Sequence, residues 1–274
     1  MTVVVVTNDD GVDSPGIHAL AEMMRRLGHE PIVVAPARDM SGASAAIGRI
    51  ELDHPTQVTR VTLPEPVDDV VAYAVDGPPG LAALLAARGG IDGVEPGFLV
   101  SGINMGTNTG HSILHSGTVG AALTAATFGL SALAVSLAVS KPMAWEAAYE
   151  HVAEALDLLD HAPRATVLNI NVPAPQGEGE PGPLRWAKLD RFGSFRVAVA
   201  ERRDAEVQLE YRARGSGHRL DPESDTALVD GGVATVTALD AIRAVPPDEL
   251  PFAEPPPTPE PRLAPGPGEA RPRG

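Results

Sequence analysis

Four consecutive valines, Val3 to Val6, run directly into the polar stretch Thr7-Asn8-Asp9-Asp10-Gly11. A continuous β-branched run has no polar face to offer water, so it predicts a strand buried on both sides, as in a parallel sheet. Apolar residues then recur at helical spacing, at Ile17, Leu20, Met23, Met24 and Leu27, with Gly28 as the stop signal. A second apolar run follows at Ile32 to Ala35. Strand, helix and strand in that order make a βαβ unit, which demands a sheet with helices packed on its faces.

The alternation continues. Strands are expected at Val70 to Val75, Phe98 to Val100, Ala132 to Leu137 and Val167 to Val172. Helices are expected at Leu81 to Ala87, Val119 to Thr127 and Ala144 to Leu159, and a hairpin or extension over Glu51 to Leu63. The fold class this implies is α/β, a Rossmann-like, doubly wound and mostly parallel sheet, forming a catalytic domain over residues 1–173. Composition then shifts. Pro173 to Pro183 reads as a Pro-, Gly- and Glu-rich connector. Residues 184–245 carry strand-like runs at Val207 to Tyr211 and Ala234 to Ala238, which suggests a small β-rich C-terminal arm. Eleven of the 29 residues from 246 to 274 are Pro, so that stretch is expected to be disordered or polyproline-like.

Composition removes several chemistries. The 274 residues include no Cys, which excludes disulfides, thiolate metal sites and a Cys nucleophile. Only Lys141 and Lys188 are available for Schiff-base or P-loop roles. A net charge of −15 disfavours nucleic-acid polymers and anionic membranes as partners. The apolar run at the N-terminus lacks a basic flank and no stretch reaches membrane-spanning length, so a cytoplasmic location is expected. Gly177-Glu178-Gly179-Glu180-Pro181-Gly182 spells a dinucleotide fingerprint, but its Pro and two Glu suit a linker, not a helix facing pyrophosphate. His111 and His115, four apart in a loop, read either as solvent-facing residues or as base or phosphate contacts.

Three polar loops each follow an expected buried strand: Thr7 to Gly11, Ser41-Gly42-Ala43-Ser44, and Ser101-Gly102-Ile103-Asn104-Met105-Gly106. In an open parallel sheet all three meet beyond the carboxyl ends of the strands. They bring two carboxylates, a hydroxyl and an amide oxygen. Asp9 and Asp10 lie past the strand, where Gly11 allows a turn that points both at one spot. Two like charges so placed call for a cation, and all-oxygen donors favour a hard one such as Mg²⁺, Mn²⁺ or Ca²⁺. Alternatively the triplet is simply a turn and helix cap. Ser116-Gly117-Thr118 stands directly before a helix, where it forms either a phosphate cradle or an ordinary N-cap.

These residues resemble the SurE family of survival-protein nucleotidases. Asn8-Asp9-Asp10-Gly11 with Ser14-Pro15-Gly16-Ile17 is similar to its opening motif, and Ser41 to Ser44 to its second. Ser101 to Asn104 with Gly106, Asn108, Gly110 and Ser116 to Val119 is similar to its third, and Leu168 to Pro173 to its closing strand. The resemblance covers residues 2–173 well and 184–240 loosely, through Asp225-Thr226 and the final strand. It implies a metal-dependent, cytoplasmic phosphomonoesterase acting on nucleoside 5′- and 3′-monophosphates. It places metal ligands on Asp9, Asp10, Ser41 and Asn104, with Asp9, Asp10 and Asn104 carrying the chemistry. It places the phosphate pocket on Asn108, Ser116, Gly117 and Thr118. It also implies one divalent cation per subunit, Mg²⁺ or Mn²⁺, and dimers or tetramers that exchange C-terminal arms. The chain departs from the family pattern at residues 37–40, at residues 77–82, at His115 and at Thr124, none of them a metal ligand.

The expected reaction is in-line attack of an activated water on phosphorus, with aspartyl-phosphate formation at Asp9 as the rival route. Three other readings compete: a non-catalytic nucleotide or phosphate sensor, a phosphatase for a non-nucleotide ester, and a nicotinamide-dependent oxidoreductase. The last lacks a glycine fingerprint after the first strand.

Overall fold

In the computed structural model of the chain, the described residues are 1–51, 53–91, 93–175, 182–191, 193, 195–203, 206–213, 220–240 and 242. They build one unit, Met1–Ala241; of the second unit, Ile242–Gly274, only the exposed Ile242 is described. The expectation for the Pro-rich stretch 246–274 lies outside the described residues, as does most of the linker reading of 177–182.

The valine run forms β1 (Val3–Thr7). Helix α1 (Pro15–Arg26) starts with proline, whose fixed φ and missing N–H suit a first turn. It buries Ile17, Leu20, Met23 and Met24, and Arg25 and Arg26 in its last turn complement the dipole. Then follow β2 (Glu30–Pro36), β3 (Val58–Val61), β4 (Val71–Val75), α2 (Pro79–Ala87), β5 (Phe98–Met105), α3 (Gly117–Thr127), β6 (Ser131–Leu137), α4 (Tyr149–His161) and β7 (Val167–Val172). A 3₁₀ turn at Gly110–His115 leads into α3, and another at Trp145–Ala148 leads into α4.

Among the described residues the main sheet has nine strands. Its central six run parallel in the order β4-β2-β1-β5-β6-β7. Strand β3 adds antiparallel to β4. The sheet separates two apolar layers, as the strand period requires. Val4 and Val6 face α1 and α4, while Val5 faces α2 and α3.

Two differences from the expected elements matter. Strand β5 continues past Val100 to Met105, because Asn104 and Met105 pair with Ser136 and Leu137 after a register shift at Ser101–Asn104. Asn104 therefore sits on a strand and not in a loop. The C-terminal stretch also does not stand wholly apart. Strand β8 (Arg185–Trp186), helix α5 (Asp225–Asp230) and β11 (Thr235–Leu239) follow the connector. Of these, β11 pairs antiparallel with β7, and β8 pairs with β11, so both extend the main sheet. Strands β9 (Phe195–Arg203) and β10 (Glu206–Ala213) form a separate antiparallel pair.

Candidate active site

Strand order reverses at β1, which lies between β2 and β5, and the crevice beyond Thr7 and its register partner Ser101 is where such sheets bind ligands. The turn that follows β1 is shaped by one buried side chain. Asn8 Oδ1 accepts from Gly11 N at 3.2 Å, and its Nδ2 donates to Gly11 O at 3.0 Å and to Ser14 Oγ at 2.6 Å. Gly11 has φ 98°, and a Cβ there would meet the Arg38 backbone at 3.0 Å, so glycine is required. The turn sends Asp9 inward.

Asp9 is 4 % exposed and both its oxygens are engaged. Gly117 N donates to Oδ2 at 3.0 Å, and the Thr118 hydroxyl donates to Oδ1 at 2.6 Å. Burial pushes this carboxyl above its ordinary value, and the Thr118 hydroxyl and neighbouring backbone N–H groups pull the other way. The close approach depends on Gly117, where a Cβ would lie 2.5 Å from Asp9 Cβ. Asp10 is half-buried, and its carboxyl is pushed up to about 6 by burial and by the charges of Asp9 and Asp39.

The other two loops close on the same place. Met40 N donates to Asp9 O at 2.8 Å, which fixes the 39–41 segment beside the acid pair. Ser41 N and its hydroxyl both donate to Asp39 Oδ1, at 2.8 and 2.6 Å. Asn104 Nδ2 is tied to Gly106 O at 2.7 Å, and its Oδ1 lies 3.4 Å from Thr118 Oγ1. The amide oxygen is thereby aimed at the Asp9 side.

Asn108 is clamped. Its N donates to Asn171 Oδ1 at 2.7 Å, its carbonyl accepts from Nδ2 of both Asn169 and Asn171 at 2.9 Å, and its own Nδ2 donates to Ser136 Oγ at 3.0 Å. Ser116 caps α3 by accepting from Val119 N at 3.1 Å. Gly117 and Thr118 therefore serve Asp9, while Ser116 serves the helix. His111 and His115 are both exposed on the 3₁₀ turn.

Sequence reasoning missed four contributors. Asp39 adds charge beside Asp10, and a lone Asp in a polar loop carries no signal of that. Asn169 and Asn171 stood in the Leu168 to Pro173 motif, where two polar side chains on one face of a buried strand were a readable sign. Asp225 reaches the site loop across 115 residues, through a Gly110 N to Oδ2 bond of 2.8 Å.

Among the described residues, no group of three or more His, Cys, Asp or Glu is placed to hold a metal. No cationic side chain lies within ion-pair distance of Asp9 or Asp10 there either. Two neighbouring carboxylates left without a cation, with an amide oxygen turned toward them, fit a hard divalent ion with oxygen donors.

Fold and site define a Rossmann-like α/β protein with an acidic, oxygen-donor centre at its switch point. The family model for survival protein SurE matches residues 4–193. A 5′-nucleotidase SurE of Xanthomonas campestris pv. campestris (strain B100) is 44 % identical over 203 residues, covering 73 % of this chain and 71 % of the relative. A 5′-nucleotidase SurE of Xanthomonas euvesicatoria pv. vesicatoria (strain 85-10) is 43 % identical over 174 residues, covering 62 % of this chain and 63 % of the relative. The crystal structure of the SurE protein from Aquifex aeolicus superposes with a TM-score of 0.71 at 26 % identity, covering 88 % of this chain and 94 % of that one. The chain belongs to the SurE family.

Proposed function

We propose that this chain is a metal-dependent phosphomonoesterase that hydrolyses nucleoside 5′-monophosphates, and 3′-monophosphates, to nucleoside and phosphate. The observation that carries it is the buried Asp9 carboxylate at the switch point, beside Asp10 and without a cationic partner among the described residues. Asp9, Asp10 and the Asn104 amide oxygen would hold the cation, with Ser41 at the edge of its site. When bound, a cation such as Mg²⁺ or Mn²⁺ supplies positive charge to the phosphate and makes water more acidic.

The chain's own groups do the rest. Asp10, the less buried of the two acids, suits the acceptance of a proton from the attacking water. The positive end of α3 favours a phosphate at the same place, with Asn108, Ser116, Gly117 and Thr118 lining it. Because both Asp9 oxygens accept hydrogen bonds, water is the better nucleophile and Asp9 the orienting ligand. Borohydride reduction during turnover should leave Asp9 unmodified. The exposed Val199, Val207 and Leu209 of the β9–β10 pair support self-association as a dimer or tetramer, which light scattering would measure.

The deciding experiment is phosphate release from a nucleoside monophosphate panel after chelation and with Mg²⁺ or Mn²⁺ restored, beside Asp10→Asn. Metal-restored release that the variant lacks is expected, with the variant's melting temperature near that of the parent. No release under any condition would favour the sensor or a non-nucleotide ester.

A further inference from the structure

Asp225 is the first residue of α5 and is fully buried. Its Oδ2 accepts from Gly110 N at 2.8 Å. Its Oδ1 accepts from Asp190 N at 3.0 Å, from Thr226 N at 2.7 Å and from the Thr226 hydroxyl at 3.3 Å. No cationic side chain pairs with it among the described residues. The charge is held by directed donors alone, and such charge-assisted bonds fix the position of each donor.

One of those donors belongs to the site loop. Gly110 opens the 3₁₀ turn Gly110–His115, and the turn ends on Ser116, the cap of α3. Gly117 and Thr118 then reach Asp9. Among the bonds that hold the stretch from Gly106 to Ser116 are those of the β7 asparagines to Asn108 and that of Asp225 to Gly110. Gly193, three residues past the Asp190 that bonds Asp225, also approaches this stretch closely. A Cβ on Gly193 would lie 2.2 Å from Ser112 Oγ and 2.7 Å from Thr109 O. A helix-start aspartate that only stabilised α5 would not need the bond to Gly110.

We propose that Asp225 is a positioning residue for the phosphate pocket: with the segment it anchors, it holds the Gly110 turn and so places the Ser116–Thr118 end of α3 where the phosphate binds. This rests on the phosphatase reading above. It makes the C-terminal segment part of the working site.

The test uses the full chain with Mn²⁺. Calorimetry measures binding of inorganic phosphate, and a release assay measures kcat and KM on a nucleoside 5′-monophosphate. Asp225→Asn is close to isosteric, but one of its two positions can only donate, so it opposes an N–H instead of accepting from it. Phosphate Kd and KM are each expected to rise about tenfold or more, the scale of a lost charge-assisted bond, with kcat per folded molecule falling by a smaller factor. A folded Asp225→Asn protein with a lower melting temperature but unchanged Kd and KM overturns the proposal. If that variant does not fold, Gly193→Ala decides by the same two constants, since it crowds the same loop from the anchored segment. A parent protein that binds phosphate but releases none from any ester refutes the phosphatase reading, while the Kd comparison still judges Asp225.

Discussion

Adding one methyl group at Gly117 gives the sharpest test of how the acid pair is held. The new Cβ would lie 2.5 Å from Asp9 Cβ, 2.7 Å from Oδ2 and 2.9 Å from Cγ. Carbon atoms in ordinary contact sit about 3.5–4.0 Å apart, so Asp9 and α3 must separate by roughly 1 Å. Both are constrained, Asp9 by the Asn8 turn and the Met40 amide, α3 by its packing against the sheet. Overpacking of this kind costs about 1–3 kcal/mol of stability, or a few degrees in melting temperature for a domain this size. The Gly117 N to Oδ2 bond also breaks, and a hydrogen bond to a charged group contributes about 1.5–3 kcal/mol. A displacement of about 1 Å in a positioned catalytic group costs on the order of 100-fold in rate. Gly117→Ala should therefore fold, melt slightly lower, and lose about 100-fold in kcat/KM for phosphate release. Gly182→Ala is the control, because among the described residues nothing lies within 4 Å of its Cβ. If Gly117→Ala keeps a third or more of the parent activity, Asp9 is not held at this distance for catalysis.

Other expectations follow from the same geometry. The Asp10 carboxyl rises from an ordinary 3.8 to about 6 on folding, so the native state binds that proton more tightly than the unfolded chain. Metal-free protein should thus lose stability as pH rises from about 4 to 6, and Mg²⁺ or Mn²⁺ should raise the melting temperature at pH 7.5 much more than at pH 5. Equal shifts at both pH values would contradict a cation held by Asp10. Asn171→Ala should leave the Asn108 N–H without its acceptor, at about 1–3 kcal/mol of stability, and raise KM more than it lowers kcat. Denaturant melts and steady-state kinetics on that variant check both halves.

The amino-acid sequence alone determined the local parts. The valine run, the Pro15 helix start and the regular return of buried runs through Val172 all follow from short-range pattern, which is why β1, α1 and the central parallel series were readable. So was the place of Asp9 and Asp10 just past β1, because a polar, Gly-containing stretch directly after a buried run marks the carboxyl end of a strand. Tertiary structure decided what depends on distant partners. The pairing of β11 with β7 joins segments that no local periodicity links, so the C-terminal stretch read as an arm although two of its strands extend the sheet. In the sequence Thr118 belongs to a run that reads as a phosphate cradle or a helix cap, with the cradle favoured beside a metal site, and only the fold brings its hydroxyl to 2.6 Å from Asp9. Asp39 carries no motif, and the loose match at Asp225-Thr226 gives Asp225 no place in the site; one acts by charge on Asp10 and the other by a bond across 115 residues. Sequence pattern specifies which backbone elements form and which way they point. The position of a hydrogen-bond donor to within a few tenths of an ångström is set only when the whole sheet, its two helical layers and its last strand pack together.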